Sequence, residues 1–331
     1  MAFKNVFTET VGVKLPIICG AMYPCSNPEL VAAASEGGAI GIIQPLSLTY
    51  VWGYEFAAGL QYIRRLTKKP VGLNILLESS SKLYEKKMMG YVEEALKADI
   101  RFFITALGNP ARLVEMVKPY GGIVYHDVTE RKWAEKAMQA GVDGFICVNK
   151  RAGGHAGRLA PEELFREISS LNKPLVMAGG VSSPDDFRRA LDMGYSAVQM
   201  GTRFIATTEC KASREYKEAI VNANEKDIVL TERVTGIPLA VINTPYVQKM
   251  GTKAGLLARF LLRHRLTKKW MRMWYGVTAL HDFKRIVKNE GSTKDFWQAG
   301  KSVEHIESVL SVKEVLDSFA ANLPDQELVE K

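Results

Sequence analysis

Eight short apolar runs recur along the first 204 residues, each interrupted or closed by Gly, Asn, Asp or Thr, with gaps long enough for a helix. They are PIICGA (16–21), GIIQP (41–45), VGLNIL (71–76), FFITALG (102–108), GIVYHDV (122–128), GFICVN (144–149), PLVMAGG (174–180) and AVQMGTRF (197–204). The runs are continuous and β-branched-rich, not alternating, as expected of strands buried on both faces. The gaps read as amphipathic helices. NPELVAAASEGG (27–38) has a polar start and a glycine stop, TERKWAEKAMQAG (129–141) offers Thr129 as N-cap, and SPDDFRRALDMG (183–194) opens on Ser183 and Pro184.

Strands alternating with helices point to parallel β/α architecture. Eight units predict an α/β fold of the (β/α)8 TIM-barrel type over residues 1–204, although a doubly wound sheet has the same local pattern. Beyond Phe204 the pattern changes. Residues 205–240 look helical and then loop-like around TGIPLAVINTP (235–245), and 302–323 is again helical. Residues 205–331 are therefore expected to form a helical appendage packed on the barrel and covering its pocket.

Composition narrows the class. With 331 residues, 47% hydrophobic and 24% charged, the chain can bury a large core. No stretch approaches the roughly 20 apolar residues of a membrane span, and MAFKNVFTET lacks the signature of a signal peptide; a cytoplasmic location is expected. Cys19, Cys25, Cys147 and Cys210 have no metal-ligand spacing, and no metal site is expected. Cys19 and Cys147 lie in apolar runs, whereas Cys25 stands where a thiol could reach solvent. The net charge of +8 is concentrated in residues 249–288, which hold eleven Lys or Arg against Asp282 alone. Within it, LLARFLLRHRLTKKWMRMWYG (256–276) could meet an acidic partner or an anionic surface. A helical cover or a subunit contact in a homo-oligomer, with solvated charges, is the preferred reading, and no nucleic-acid partner is expected.

In a barrel the chemistry gathers at the C-terminal ends of strands. AGG (178–180) and QMGT (199–202) place glycines there, where backbone N–H groups can approach a ligand. Loops after strands 7 and 8 are the recurrent phosphate site of such barrels, and a helix N-terminus there favours an anion. In AGGHAG (152–157) every residue but His155 is Ala or Gly, so backbone can press on a flat ligand and the imidazole can act as a base. On residues alone, a histidine capping the next turn is the stronger reading. His126 and Asp127 cannot both point at one ligand, because neighbouring strand residues face opposite ways, and His126 is the weaker histidine candidate. Asn74, inward-facing, offers donor and acceptor.

Taken together, PIICGAM (16–22), GGHAG, AGGVSS (178–183), QMGTRF (199–204) and WQAGKS (297–302) resemble the nitronate monooxygenase family, formerly 2-nitropropane dioxygenases. That family includes flavin-dependent enoyl-acyl-carrier-protein reductases and certain NADH:quinone reductases. The resemblance implies a TIM barrel holding FMN non-covalently. Gly20, Ala21 and Met22 would lie along the isoalloxazine with Asn74 nearby, and Gly153 would sit against the flavin. Gly179, Gly180, Gly201 and Thr202, with the Gln199–Met200 backbone, would hold the phosphate. His155 matches the family's active-site histidine. The implied reaction is oxidation of alkyl nitronates, or another small carbon acid, by O2. The alternative is NAD(P)H-driven reduction of a quinone or enoyl thioester. VNKRAGGH (148–155) departs from the family pattern: Lys150 and Arg151 replace a stretch that usually carries glutamate. The pair could favour an anionic substrate, though a solvated turn is the preferred reading.

Overall fold

Short runs buried on both faces can satisfy their backbone only by pairing on both sides, and here they do so in a ring. The computed structural model describes residues 3–77, 82–255, 275, 278, 280–285 and 296–323. The eight runs supply β1 (Ile17–Cys19), β2 (Ile40–Ile43), β3 (Val71–Leu76), β4 (Phe102–Ala106), β5 (Ile123–Val128), β6 (Gly144–Val148), β7 (Leu175–Ala178) and β8 (Ala197–Met200). Each strand pairs parallel with the next, and β8 returns to β1 through Ile18↔Gln199 and Cys19↔Met200. That closure excludes the doubly wound sheet.

Strand alternation sorts the side chains. Ile18, Ile40, Ile42, Phe102, Ile104, Tyr125, Ile146, Val176 and Ala197 pack inside the barrel. Cys19, Ile43, Leu73, Phe103, Val124, Phe145, Met177 and Val198 belong to the outer layer beneath the helices. Tyr125 has room because Gly144 stands opposite it in register, where a Cβ would lie 2.6 Å from the ring. The N-terminal end is plugged by α1 (Val6–Val11). Asn5 caps this helix in a box with Thr8 and donates to the Ser196 carbonyl at 2.7 Å, just before β8. Phe7 is fully buried, edge-on to Phe102 and Tyr125 at 6.0 Å each.

The outer ring comprises α2 (Pro28–Glu36), α3 (Phe56–Leu66), α4 (Lys82–Lys97), α5 (Ala111–Val117), α6 (Arg131–Gln139), α7 (Pro161–Ile168) and α8 (Pro184–Asp192). Ser183 caps α8 in a box with Asp186, as its sequence predicts. Thr129 does not cap α6; Glu130 holds that position without a side-chain bond to the first turn. Cys25 is not within solvent reach either. It is buried, and the Cys210 thiol approaches its carbonyl at 3.7 Å.

Beyond β8 come α9 (Thr202–Ile205), α10 (Arg214–Asn222), β9 (Ile228–Thr231), β10 (Leu239–Ile242), α11 (Pro245–Met250) and α12 (Val312–Ala320). α12 packs on both α2 and α8, with Phe319 against Phe187 at 5.5 Å, and so takes a place in the helical ring. The stretch expected to be loop-like contains β10, antiparallel to β9. Four-residue runs carry little periodicity, and this one is fixed by tertiary pairing: Ala240 bridges Gly154 and Val241 bridges Gln298. The basic segment 256–276 lies outside the described residues, Tyr275 excepted.

The plug makes a measurable claim. Phe7→Ala should cost about 3–5 kcal/mol of unfolding free energy in denaturant titration, as for other buried Phe truncations. A loss below about 1 kcal/mol would show that α1 is not part of the core.

Candidate active site

The C-terminal ends of the strands enclose a cavity of about 180 Å³ lined by Ala21, Tyr23, Gln44, Asn74, Leu76, Ile104, Asp127 and Gln199. The walls follow from alternation: Asn74, Ile104, Asp127 and Gln199 occupy inward positions on β3, β4, β5 and β8. Of the residues expected on the flavin ring, Ala21 and Asn74 are thus brought together, and Gln199, expected to offer its backbone to the phosphate, lines the same cavity. Gln199 Oε1 and Asp127 Oδ1 are buried there without a hydrogen-bond partner among the described residues. Burial raises the Asp127 carboxyl to about 7. His126 faces the other way, 2.7 Å from Thr105 Oγ1, and burial lowers it to about 4, so it is neutral at physiological pH. Asp127, which sequence reasoning passed over beside its histidine neighbour, is the one on the cavity. Its place two residues beyond the inward Tyr125, near the end of β5, was the available signal.

The late glycine loops are shaped by close contacts. Gly179 and Gly180 have φ of +112° and +84°, a left-handed region that other residues rarely enter. A Cβ on Gly179 would lie 2.4 Å from the Ala152 nitrogen, and one on Gly180 would meet the Arg151 side chain at 2.6 Å. Gly20 donates to the Met200 carbonyl at 3.0 Å, while the Met200 side chain is buried in the layer outside the barrel. Gly201 faces Met22, and Thr202 Oγ1 accepts from Gly300 N–H at 3.0 Å. Where Gly153 lacks a side chain, the Ala299–Gly300 backbone fits; a Cβ would lie 2.9 Å from the Gly300 nitrogen.

Asn149 joins these loops. Fully buried, it donates from Nδ2 to the Gly179 carbonyl at 2.9 Å and accepts from Arg151 N–H at 2.8 Å. Arg151 is not part of a solvated turn: half-buried, it pairs with Glu225 at 2.8 Å, and Glu225 also binds Lys301 at 3.0 Å. Burial works against charge on Glu225, but Lys301 and Arg151 hold its carboxyl below the ordinary range.

His155 stands on the loop after β6, outside the cavity walls. Its Nδ1 lies 3.0 Å from the Pro238 carbonyl. A carbonyl only accepts, so Nδ1 carries the proton and Nε2 presents a lone pair. Although the ring keeps solvent access, the protein around it desolvates the imidazole and lowers its pKa, with the Pro238 bond acting in the opposite sense. Gln298 touches both the loop of His155 and a residue of the cavity wall. Its Nε2 donates to the Tyr23 carbonyl at 3.4 Å, and its Oε1 lies 3.5 Å from where a Gly154 Cβ would stand.

A closed (β/α)8 barrel with a left-handed glycine loop after β7 and an amide-rich cavity at the strand ends defines a class, that of ligand-binding barrel enzymes. The family model described as nitronate monooxygenase matches residues 4–322. The chain therefore belongs to the nitronate monooxygenase family of flavin-dependent oxidoreductases. It is 28% identical to a Rhodococcus jostii 5-hydroxy-7a-methyl-1-oxo-octahydro-1H-indene-4-carboxyl-CoA dehydrogenase, over 77% of this chain and 71% of that one. A Staphylococcus aureus protein named "Probable nitronate monooxygenase" is 22% identical, covering 86% and 96%. Among solved structures, FabK from Thermotoga maritima superposes with a TM-score of 0.80 at 26% identity, covering 97% and 96%. A nitroalkane oxidase from Streptomyces ansochromogenes shares the fold with a TM-score of 0.74 at 21% identity, covering 96% and 97%. No helix among the described residues is long and apolar enough to cross a membrane.

The raised Asp127 carboxyl links stability to pH. Between its unfolded value of 3.8 and its folded value of about 7 the folded state binds the extra proton, so stability falls as pH rises. Asp127→Asn lacks this loss. Denaturation of flavin-free protein should show the variant gaining on wild type as pH rises through that window, then levelling off. A constant difference would mean that the carboxyl ionises normally in the fold.

Proposed function

We propose that this protein is an FMN-dependent enzyme that oxidises alkyl nitronates, or another small carbon acid, with O2, and that His155 is its base or substrate-orienting group. The arrangement of His155 carries the reading. Its lowered pKa keeps the imidazole neutral at physiological pH, and the Pro238 carbonyl holds the tautomer whose Nε2 is free to accept.

The residues fit FMN. The unpartnered Gln199 Oε1 and the Asn74 amide line a cavity that a flat, amide-bearing ring could satisfy. Ala21, Asn74 and Gln199 would hold the ring, with Gly20, Met22 and Gly153 along its edges. Gly179, Gly180, Gly201 and Thr202 would hold the phosphate, whose charge Arg151, packed on Gly180, would help to offset. Met200 could contribute only through its backbone. When bound, FMN supplies the electron acceptor for the carbon acid and hands electrons to O2.

The rest falls to the chain. His155 takes the proton from a neutral nitroalkane at Nε2, or bonds an already ionised nitronate. The hairpin of β9 and β10 fixes the imidazole, since Ala240 N–H donates to the Gly154 carbonyl at 2.8 Å beside the Pro238 contact. Val234, Leu239, Val241, Val247, Phe283 and Phe296, with Tyr23 packed against them, form the apolar cover that limits water at the cavity. In this reading the segment after residue 204 covers the pocket from outside, packing on Tyr23 of its wall.

A second reading is NAD(P)H-driven chemistry on an enoyl thioester or quinone, and the likeness to a carboxyl-CoA dehydrogenase favours the thioester as its substrate class. In it His155 positions or protonates the acceptor. Anaerobic mixing with NADH and NADPH separates the two: rapid flavin bleaching selects the reductase, and indifference selects the oxidase.

His155→Ala should retain flavin but lose nitronate-dependent O2 uptake by on the order of 10²-fold or more. Normal turnover would remove His155 from the mechanism. Because its pKa is lowered, the acid limb of kcat/KM on a nitroalkane should fall below the ordinary histidine value of about 6.5. A limb above that value would contradict the assignment.

A further inference from the structure

Asp127 shares the cavity with the flavin-contacting residues, yet the reading above gives it no task. Its Oδ1 is buried without a partner. Among the described residues no Lys, Arg or His lines the cavity, whose polar wall is otherwise Tyr23 and the amides of Gln44, Asn74 and Gln199. Two titratable groups bear on it, Tyr23 across the cavity and Cys147 on β6, and both are driven upward mainly by burial. Neither can supply a compensating cation. His126 lies on the opposite face of β5, neutral and bonded to Thr105. A lone carboxylate in such a wall would lose its hydration for nothing in return. Burial raises the carboxyl to about 7, so the group keeps its proton below neutrality. A neutral carboxylic acid differs from a carboxylate in one essential respect: it has an O–H to donate.

We propose that Asp127 donates a hydrogen bond from its protonated carboxyl to an acceptor atom on the flavin ring, so that the cavity offers its ligand a neutral acid and not an anion. This rests on the flavin reading given above. It makes FMN binding and Asp127 protonation reciprocal: the bound ring favours the protonated acid, and the protonated acid favours the ring. Ionisation would remove the donor and set a negative charge against an acceptor, so affinity falls as pH rises past neutrality.

The test is titration of the flavin-free protein with FMN, read by quenching of flavin fluorescence at about pH 5.5 and about pH 8.5, on either side of the Asp127 transition. Wild type should bind on the order of tenfold more weakly at the higher pH, the upper end of what one neutral hydrogen bond contributes. Asp127→Asn, which keeps a donor but cannot ionise, should show the same affinity at both, near the wild-type value at low pH. Asp127→Leu, which has no donor, should be about tenfold weaker than Asp127→Asn throughout. The bound flavin spectrum should shift with pH across the same window in wild type and not in Asp127→Asn. Equal pH dependence in wild type and Asp127→Asn would overturn the proposal. So would equal affinity in the Asn and Leu variants, with circular dichroism confirming that both are folded. Wild type that takes up no FMN at either pH would bring down the functional reading itself, and this proposal with it.

Discussion

Everything at the mouth of this protein depends on the pairing of β8 with β1. Closing the ring fixes the register of all eight strands and thereby decides which alternate residue of each faces the axis. A slip of one residue in β5 would put His126 on the cavity and bury Asp127 beneath the helices. It would also pull Tyr125 out of the space left by Gly144. The apolar interior and the polar cavity are two levels of one alternation: Tyr125 and Ala197 below, Asp127 and Gln199 two residues further along the same strands at the rim.

A second constraint lies in the loops. A buried Asn149 must satisfy both ends of its amide, and it does so by binding Gly179 on one side and Arg151 on the other. The loop that carries His155 is thus tied to the loop expected at the phosphate. The Arg151–Glu225–Lys301 ion pairs and the Thr202–Gly300 bond extend this tie to the segment around 297–301. The loops after β6 and β7 and the segment around 297–301 are one connected assembly, so in the proposed function FMN bound at one end would steady His155 at the other.

The cavity is built from neutral groups. Its amides can donate or accept as a ligand requires, and with no basic side chain among its described walls, burial raises the Asp127 carboxyl to about 7. The positive charges sit instead in the loops above Gly180, where an anion would need them. Such separation suits a ligand with a neutral ring at one end and a phosphate at the other.

Much of the architecture was legible in the chain. Eight continuous apolar runs, the Ser183 cap and the glycines at 179–180 are local signals, because burial on both faces, helix capping and left-handed backbone each restrict residue choice directly. The likeness to the family rests on the same stretches. Other features depend on contacts between distant segments, which no local pattern encodes. β10 exists because Gly154 and Gln298 pair with it, and Arg151 is held because Glu225 comes to meet it. Gly153 proves to be needed for the Ala299–Gly300 backbone. Period-two alternation said that only one of His126 and Asp127 could face the ligand; the closed barrel decided that it is the acid, because only the ring sets which face of β5 is inside.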